Sequence, residues 1–295
     1  MTHLTENTKI FVESSTDEQR VKAAKEFKWI GYTDATKILK KMDDLIDYPK
    51  SSRMPNLLLV GDSNNGKTAL LNRFHKNHKA FVQEDENGYS KVINPVLFVQ
   101  APPEPDERRF YKIIFEHLYA PHKPSERIEQ QHSRLIKLLR ELETRVLVVD
   151  EIHHVLAGTQ AKQRLFLNVL KYLSNELQIP LVCAGTRDAF NAIQTDPQLS
   201  NRFEPKVLPR WTNDVELKKL LVSFESIMPL KKQSNLIENS MTSKILAMSD
   251  GFIGEISKII QLSTILAIES KVEKITPNIL DSIDYISPDK KRRFV

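Results

Sequence analysis

One short segment restricts the fold of this 295-residue chain more than any other. The apolar run 56–60 leads directly into Gly61-Asp-Ser-Asn-Asn-Gly-Lys-Thr68, and an apolar helical pattern follows. The segment matches the pattern G-x-x-x-x-G-K-[ST]. A predicted strand precedes it and a predicted helix follows it, which is the context that this motif requires. Gly61 and Gly66 allow the backbone to curl so that its N–H groups point inward, and the helix start adds the positive end of its dipole. The segment therefore predicts a phosphate-binding loop in a parallel α/β sheet.

Each residue type in this loop has an expected role. We expect Lys67 to reach the β- and γ-phosphates of a nucleoside triphosphate, and the hydroxyl of Thr68 to ligate Mg²⁺. The predicted nucleotide-binding residues of the loop are Gly61, Asp62, Ser63, Asn64, Asn65, Gly66, Lys67, Thr68 and Ala69.

Buried-strand patterns and helical patterns alternate around this loop. Apolar runs at 95–99, 146–149 and 180–184 predict further strands, and 206–208 predicts a last one; helices are predicted at 67–78, 106–119, 125–143 and 161–178. Such alternation indicates right-handed βαβ units and a parallel sheet with helices on both faces. From Thr212 onward the pattern is helical, with helices predicted at 213–227, 236–249, 253–270 and 276–286.

These patterns divide the chain into four predicted parts. A helical extension at 1–50 precedes an α/β domain at 51–210, a small all-helical lid domain at 211–287 and a basic tail at 288–295. The tail carries Lys290, Lys291, Arg292 and Arg293, which suit a polyanion, a partner protein or simple solubility equally well.

Composition excludes several classes of protein. A single cysteine rules out an internal disulfide and a Cys-rich metal site. No apolar run reaches the length of a spanning helix, and the N-terminus lacks the pattern of a secretory signal, so we expect a soluble intracellular protein without a membrane partner. The chain has 43 Lys and Arg and 38 Asp and Glu, which gives a net charge of +5. This charge permits a polyanionic partner without demonstrating one.

The third apolar strand pattern, at 146–149, ends in the acidic pair Asp150-Glu151. Ligand sites of open α/β sheets lie at the carboxyl ends of strands, so we expect Asp150 to hold Mg²⁺ opposite Thr68 and Glu151 to deprotonate the attacking water. Without the upstream loop, a solvated helix cap would be the simpler interpretation. The next residues, His153 and His154, match no metal-site spacing and favour a solvated or packed role.

Four further segments are candidate parts of the same site. Thr186 follows the fourth strand, where it would either sense the γ-phosphate or cap the next helix. Arg202 lies where an arginine finger is expected, acting on a neighbouring subunit, unless it is an ordinary surface arginine. The remaining two segments would contact the nucleotide or belong to the core, and their candidate residues are Trp29, Ile30, Gly31, Tyr32, Gly254 and Glu255.

The order of these motifs resembles the AAA+ ATPase superfamily, and within it the TniB/TnsC group of transposition ATPases; MuB- and IstB-type proteins are more distant relatives. The resemblance covers about 25–285. Its more specific parts are the lead-in Arg53-Met-Pro-Asn56 and the lid segment Gly251-Phe-Ile-Gly-Glu-Ile256. It implies a P-loop AAA+ fold that binds ATP and Mg²⁺ between the α/β domain and the lid, with Glu151, Asp150, Lys67, Thr186 and Arg202 (in trans) as catalytic residues.

The resemblance also implies a function. Proteins of this group regulate DNA transposition: with ATP they form rings or helical filaments on double-stranded DNA, and they link a TniQ-like target selector to a DDE transposase of the TniA/TnsB type. ATP hydrolysis dismantles the oligomer. A bacterial, cytoplasmic location on DNA is implied, and target selection by a CRISPR effector, by a site-specific binder or by neither remains open.

One departure from the superfamily pattern affects the expected activity. Many AAA+ lids carry an arginine that touches the γ-phosphate, whereas the matching stretch here offers Glu255 and Lys258. Slow hydrolysis is therefore expected, and a nucleotide-gated scaffold with negligible hydrolysis stays open. A replication initiator or helicase loader is a further alternative, which the absence of an appended DNA-binding domain disfavours.

Candidate DNA contacts come from basic residues after the second predicted strand of the sheet. Arg108, Arg109 and Lys112 stand near a helix start, and Lys123, Arg127 and Arg134 follow. A basic helix start can follow a phosphate backbone without reading sequence, although acidic neighbours make an ordinary solvated face an equal alternative.

Overall fold

The computed structural model describes residues 1–26, 28–84, 86–123, 125–194 and 200–288. Nearly all of the predicted basic tail therefore lies outside the described residues. The chain divides into an α/β unit, made of Lys37–Ser63 and Lys67–Leu208, and a helical unit, made of Met1–Thr36, Asn64–Gly66 and the described residues from Pro209 onward.

In the described residues the strands are β1 (Asn56–Val60), β2 (Phe81–Glu84), β3 (Ser90–Ile93), β4 (Val96–Gln100), β5 (Val146–Asp150), β6 (Leu181–Gly185) and β7 (Phe203–Val207). The helices there are α1 (Glu6–Ser14), α2 (Asp17–Lys25), α3 (Thr33–Ile46), α4 (Lys67–Asn77), α5 (Glu107–His117), α6 (Ile128–Glu141), α7 (Gln160–Leu177), α8 (Arg187–Gln194), α9 (Val215–Ile227), α10 (Asn239–Ser249), α11 (Ile253–Glu269) and α12 (Pro277–Ser282); a 3₁₀ turn covers Ile152–Ala157.

The α/β unit is built on a parallel sheet. Within the described chain it has five strands in the order β4-β5-β6-β1-β7, and every pair is parallel. All residues of β1, β5 and β6 are buried, as expected for strands covered on both faces. Apolar faces of α5, α6 and α7 pack on the sheet, with Phe110, Leu135 and Phe166 in one core cluster. The predicted fold class is confirmed.

The last strand differs from its prediction. The sequence pattern places it at 206–208, whereas β7 covers Phe203–Val207 and pairs Leu58 with Pro205. Proline has no amide hydrogen and is tolerated at a sheet edge, which is the position of β7.

A hairpin of β2 and β3 stands outside the main sheet and was not predicted. It pairs Val82 with Val92 in an antiparallel ladder, and all of its residues except Ile93 are exposed. Because it packs on little else, its sequence shows no buried-face alternation from which a strand could be predicted.

The helical unit combines helices from both ends of the chain. Its core contains apolar residues of α9, α10 and α11, such as Leu221, Ile245 and Ile259. The helix predicted at 276–286 ends earlier, at Ser282, and the Tyr285 hydroxyl beyond it donates to Glu255 Oε2 over 2.7 Å. Ile283, directly after Ser282, has the extended dihedral angles φ −69° and ψ 143°, which end the helix there. Helix α1, at the N-terminus, was not predicted.

Among the described helices, none alone has the length and apolarity to cross a membrane. Helices α10 and α11 pass that test only as a pair, and the pair is bent by 117° at its break.

The arginine of α2 anchors the N-terminal helices in the helical unit. Arg20 is fully buried, and its guanidinium donates to both carboxylate oxygens of Glu273 over 2.8 and 2.7 Å and to the Pro229 carbonyl over 2.9 Å. Asp17 accepts a further bond from Arg20. Burial raises the pKa of Glu273, but the bonds from Arg20 and from the Lys231 backbone outweigh it and hold that pKa below its ordinary value.

We expect Arg20→Ala to destabilise the protein by about 3–5 kcal/mol, because it leaves the Glu273 carboxylate buried without its partner. Lys22→Ala, an exposed change on the same helix, should stay within about 0.5 kcal/mol. Urea denaturation monitored by circular dichroism measures both. Equal stability of the two variants would contradict the anchoring role.

The same network sets a pH dependence. Bonds from Lys271 and Arg20 lower the pKa of Asp17 from 3.8 to about 2, and the pKa of Glu273 is lowered as well. A carboxyl group whose pKa is lower in the folded state stabilises the fold at every pH above its unfolded-state pKa. That stabilisation is lost as the pH falls through the folded-state pKa. Stability should therefore fall between pH 4.5 and about 2, less steeply in Arg20→Ala.

Candidate nucleotide site

Three adjacent strands bring the predicted phosphate loop and the acidic pair to the same end of the sheet, where the strands have their carboxyl ends. Strand β6 lies between β1 and β5, and in a parallel sheet all three carboxyl ends face the same way. Gly61, which follows β1, donates its N–H to the carbonyl of Gly185 at the end of β6 over 3.1 Å. Asp150 is the last residue of β5. This end of the sheet is where open α/β sheets bind ligands.

The loop adopts a curled backbone with two left-handed residues. Asn64 has φ 62° and Gly66 has φ 85°, and the second conformation is one that glycine adopts without strain. The buried Lys67 ammonium donates to the carbonyls of Gly61 and Asp62, both over 2.9 Å. Burial lowers the pKa of Lys67, against the opposing charges of Glu151, Asp150 and Asp62. The lysine is therefore folded back onto its own loop.

Thr68 and Asp150 form the contact that joins the loop to the acidic strand end. The Thr68 hydroxyl donates to Asp150 Oδ2 over 2.7 Å, and Asp150 is fully buried. The second carboxylate oxygen, Oδ1, accepts the N–H of Glu151 over 2.8 Å. A hydroxyl and a carboxylate at this spacing are hard oxygen donors of the kind that Mg²⁺ takes, so these two residues fit the predicted magnesium site.

Glu151 is held in a strained backbone conformation. Its φ of 56° and ψ of 36° are left-handed, which is uncommon for a residue with a side chain and occurs often at functional sites. Its carbonyl accepts the N–H of His154 over 3.0 Å, and its carboxylate Oε2 lies 3.1 Å from His153 Nδ1. Burial lowers the pKa of His153, with Glu151 opposing the shift.

Thr186 directly follows β6, so it belongs to the same end of the sheet as Gly61 and Asp150. It is half-buried, and its carbonyl accepts the N–H of Phe190 over 3.2 Å, next to the start of α8. This placement is compatible with both predicted roles.

Arg202 lies at the amino ends of the strands, opposite the end of the sheet that carries the phosphate loop. Its carbonyl accepts the N–H of Asn56, the first residue of β1, whereas the phosphate loop follows the last residue of that strand. Five strand residues span about 16 Å. The Arg202 guanidinium donates to Asn175 Oδ1 over 2.8 Å. Asn175, inside the helical pattern of α7, carried no signal in the sequence.

In the helical unit, Asn64 meets the start of α11. The Asn64 carbonyl accepts the N–H of Gly254 over 3.1 Å, and its side-chain amide donates to Glu255 Oε1 over 3.0 Å. Glu255 is buried and also accepts the bond from Tyr285. The predicted residues Gly254 and Glu255 therefore both contact the loop residue Asn64. At this position Glu255 has a carboxylate, where many AAA+ lids have the guanidinium of an arginine.

A cavity of about 300 Å³ lies within the helical unit, a size at the lower end of ligand pockets. Among the residues that line it are Lys28, Met228, Gly254, Lys258 and Gln261. Gly254 therefore borders the cavity and also bonds to Asn64 of the phosphate loop.

The aromatic segment 29–32 is packed into the helical unit. Ile30 and Tyr32 pack on its core, and the Tyr32 ring meets Trp211 edge-on at 5.0 Å between centroids. Burial raises the pKa of Tyr32 to about 12. The cavity is bordered by the preceding residues, including Lys28, rather than by Tyr32 itself.

The three candidate DNA contacts share one exposed face of α5. Arg108, Arg109 and Lys112 are exposed, while the opposite face, with Phe110 and Ile114, is buried. Arg108 donates to the Glu126 carbonyl over 2.9 Å. Arg134, which follows in the sequence, instead pairs with Glu126 over 2.9 Å and covers the ring of Phe115 at 4.4 Å, an arrangement that favours a structural role.

Comparison with known proteins identifies the family of this chain. The sequence model of the bacterial TniB protein family matches residues 20–213, about two thirds of the chain. The chain belongs to the TniB family. A search of curated protein sequences found no match.

Solved structures resemble this TniB-family chain in fold. Cdc6p from Pyrobaculum aerophilum matches with a TM-score of 0.60 at 15% identity over 93% of this chain and 73% of its own. ORC1 from Aeropyrum pernix, solved with DNA, matches with a TM-score of 0.56 at 16% identity over 84% of this chain. The match spans 63% of that ORC1 chain. At these identities the likeness establishes the AAA+ ATPase fold.

We expect Gly254→Ala to destabilise the protein by about 1–3 kcal/mol, since its Cβ would collide with Asn64 Oδ1 and lie 2.8 Å from the Asn64 carbonyl oxygen. Gly31→Ala is the matched control: its Cβ would meet only ordinary contacts, at 3.5 and 3.6 Å. Thermal denaturation measures both variants. An unchanged melting temperature for Gly254→Ala would show that α11 and Asn64 do not pack in this way.

Proposed function

We propose that this chain is an ATP-dependent regulator of DNA transposition. In this proposal it binds ATP and Mg²⁺, assembles on double-stranded DNA without sequence preference as a ring or helical filament, and links a TniQ-like target selector to a DDE transposase of the TniA/TnsB type. Hydrolysis of ATP dismantles the assembly. Membership of the TniB family supports the link to transposition. The observation that carries the nucleotide chemistry is the 2.7 Å bond from Thr68 to Asp150.

The proposed binding step uses groups that the loop already presents. The triphosphate replaces the Gly61 and Asp62 carbonyls as partner of the Lys67 ammonium, while N–H groups of the loop residues after Gly61, up to Ala69, bind phosphate oxygens. Within the helical unit, the cavity bordered by Lys28, Met228 and Gly254 has a size that suits a purine ring.

Mg²⁺ would be held by the Thr68 hydroxyl and, directly or through water, by the Asp150 carboxylate. When bound, the ion neutralises charge that develops on the β- and γ-phosphates. The bond between Thr68 and Asp150 keeps both oxygens in position beforehand, and the Glu151 N–H fixes the second oxygen of Asp150.

Glu151 is the proposed general base. It stands one residue beyond Asp150, is about 28% exposed and thus reaches solvent, and its strained backbone sets the direction of its carboxylate. It takes a proton from the water that attacks the γ-phosphate. Thr186, at the end of the neighbouring strand β6, is proposed to contact the γ-phosphate or to orient that water.

Arg202 is proposed to act on the site of a neighbouring copy. Its position beside the first residue of β1, about 16 Å from the loop of the same chain, supports action in trans rather than in cis. A guanidinium there would stabilise charge on the phosphoryl group in transfer. Asn175 would hold the side chain until the subunits meet.

A nucleotide-gated scaffold with negligible hydrolysis is the second candidate function. The observation that favours it is Glu255, a buried carboxylate beside Asn64 where many AAA+ proteins place a cationic side chain. A carboxylate there offers no stabilisation to a charged γ-phosphate. Turnover measured with and without DNA separates the two candidates.

Two variants separate nucleotide binding from hydrolysis. We expect Lys67→Ala to lose ATP binding and ATP-dependent assembly on DNA, since the phosphate partner is removed. Glu151→Gln should keep binding and assembly but hydrolyse ATP about 10²–10⁴-fold more slowly, because an amide cannot accept the proton. Fluorescent-nucleotide titration, phosphate release and electron microscopy give the three readouts.

These outcomes can fail separately. Assembly by Lys67→Ala equal to that of the unmodified protein would sink the nucleotide-dependent step. An unaltered phosphate-release rate in Glu151→Gln would remove Glu151 as the base while leaving the binding step intact.

DNA binding is expected to depend on the exposed face of α5. Replacing Arg108, Arg109 and Lys112 by glutamine should weaken binding to duplexes of any sequence. It should also lower the slope of log K against log salt by about one for each phosphate that the variant no longer neutralises. Fluorescence anisotropy over a salt series measures this slope.

A charge-matched control uses Lys37, Lys76 and Lys137, three exposed lysines on α3, α4 and α6. Their replacement by glutamine removes the same net charge elsewhere and should change the slope less. If both triple variants give the same slope, the α5 face is not the specific contact.

A further inference from the structure

The turn after the acidic strand gathers three metal-ligand side chains. Glu151, His153 and His154 each place a donor atom within 4.8 Å of the donors of the other two. Sequence spacing alone did not indicate this cluster. The left-handed backbone of Glu151 and the bond from the His154 N–H to the Glu151 carbonyl form a tight turn that folds the two imidazoles back beside the carboxylate.

The contact between His153 and Glu151 is unlike an ordinary hydrogen bond. The Nδ1 atom of His153 is buried and lies 3.1 Å from Glu151 Oε2, yet it makes no hydrogen bond within the described part of the chain. Two donor atoms that are close but poorly aligned for sharing a proton are placed as two ligands of one cation would be. In a tetrahedral zinc site with bonds of about 2.0–2.1 Å, neighbouring donors are about 3.3 Å apart.

The second imidazole has the outer partner that metal-binding histidines use. His154 Nδ1 lies 3.4 Å from the carbonyl of Ala101, and the N–H of Ala101 in turn donates to the Asp150 carbonyl over 2.8 Å. A proton kept on Nδ1 by a backbone carbonyl leaves the Nε2 lone pair for a metal and sets the direction of the ring.

From this geometry we infer that Glu151, His153 and His154 form a binding site for a divalent transition metal of the Zn²⁺ class. Two imidazoles and one carboxylate are the ligand set of several zinc enzymes, and imidazole nitrogen selects Zn²⁺ over Mg²⁺. The Glu151 and His153 side chains are each about 28% exposed, so the cluster lies at the surface of the α/β unit. These ligands differ from the oxygen pair of Thr68 and Asp150, which suits Mg²⁺.

Occupation of this site has a regulatory consequence, which rests on the proposed function. A metal bound to the Glu151 carboxylate takes the lone pair that would accept the proton of the attacking water. Zn²⁺ would therefore inhibit ATP hydrolysis without displacing the nucleotide, and would hold the protein in its ATP-bound, assembled form.

The test begins with binding, which does not depend on ATPase activity. The 295-residue chain, freed of metal by a chelator and exchanged into magnesium-free buffer, is titrated with Co²⁺ and then with Zn²⁺. We expect one equivalent of Co²⁺ to give visible d–d absorption of a four-coordinate N/O site, and Zn²⁺ to abolish it. His153→Ala and His154→Ala should each weaken binding by more than about 100-fold.

Controls distinguish the site from scattered surface histidines. His117→Ala removes an exposed histidine at the end of α5 and should bind the metal as the unmodified chain does. His153→Asn and His154→Asn repeat the test with polar side chains of similar size, and circular dichroism verifies their fold. The inference is overturned if the unmodified chain shows no one-equivalent Co²⁺ spectrum, or if folded His153 and His154 variants bind as tightly as it does.

Phosphate release then tests the consequence. One equivalent of Zn²⁺ should reduce the rate of the unmodified chain by more than tenfold and that of His154→Ala by much less. Should the chain lack ATPase activity, the hydrolysis step of the proposed function fails, while the Co²⁺ spectrum still decides whether the metal site exists.

Discussion

The candidate nucleotide site depends on the parallel pairing of β1 with β6 on one side and with β7 on the other. Between β6 and β7 every residue of β1 is buried, so its backbone polar groups are satisfied by its neighbours and its direction is fixed. The chain must therefore leave the sheet at Gly61, beside the ends of β6 and β5. The bond from Thr68 to the buried Asp150 then ties the helix after the loop to the strand two places away. Phosphate loop, acidic pair and Thr186 follow from this one arrangement.

The same sheet separates two parts of the proposed site. The loop and the acidic pair lie at the carboxyl ends of its strands. Arg202 lies at the amino ends, because β7 runs parallel to β1 and Arg202 immediately precedes β7. In the proposed function, this separation is what an arginine that acts on a neighbouring copy requires. The helical unit has its own constraint, the buried pair of Arg20 and Glu273, through which residues near both ends of the chain share one core.

Much of the α/β unit was predictable because burial leaves a direct mark on sequence. Strands covered on both faces are continuous apolar runs, so β1, β4, β5 and β6 were predicted. The loop Gly61–Thr68 follows β1 directly, as its spacing requires. The β2–β3 hairpin and α1 were missed because they bury few side chains. The last strand was misplaced because Pro205 weakens a strand pattern except at a sheet edge.

The sequence by itself determined the fold class, the phosphate loop and the identity of the acidic pair, since each follows from local periodicity or from residues adjacent in the chain. Only the tertiary structure decided which distant groups meet. It joined Thr68 to Asp150, Arg202 to Asn175 and Asn64 to Gly254, contacts that span 82, 27 and 190 positions. It also turned the backbone at Glu151 so that two histidines with no metal-site spacing face a carboxylate. Side-chain direction after such a turn depends on packing from other elements, which no local pattern records.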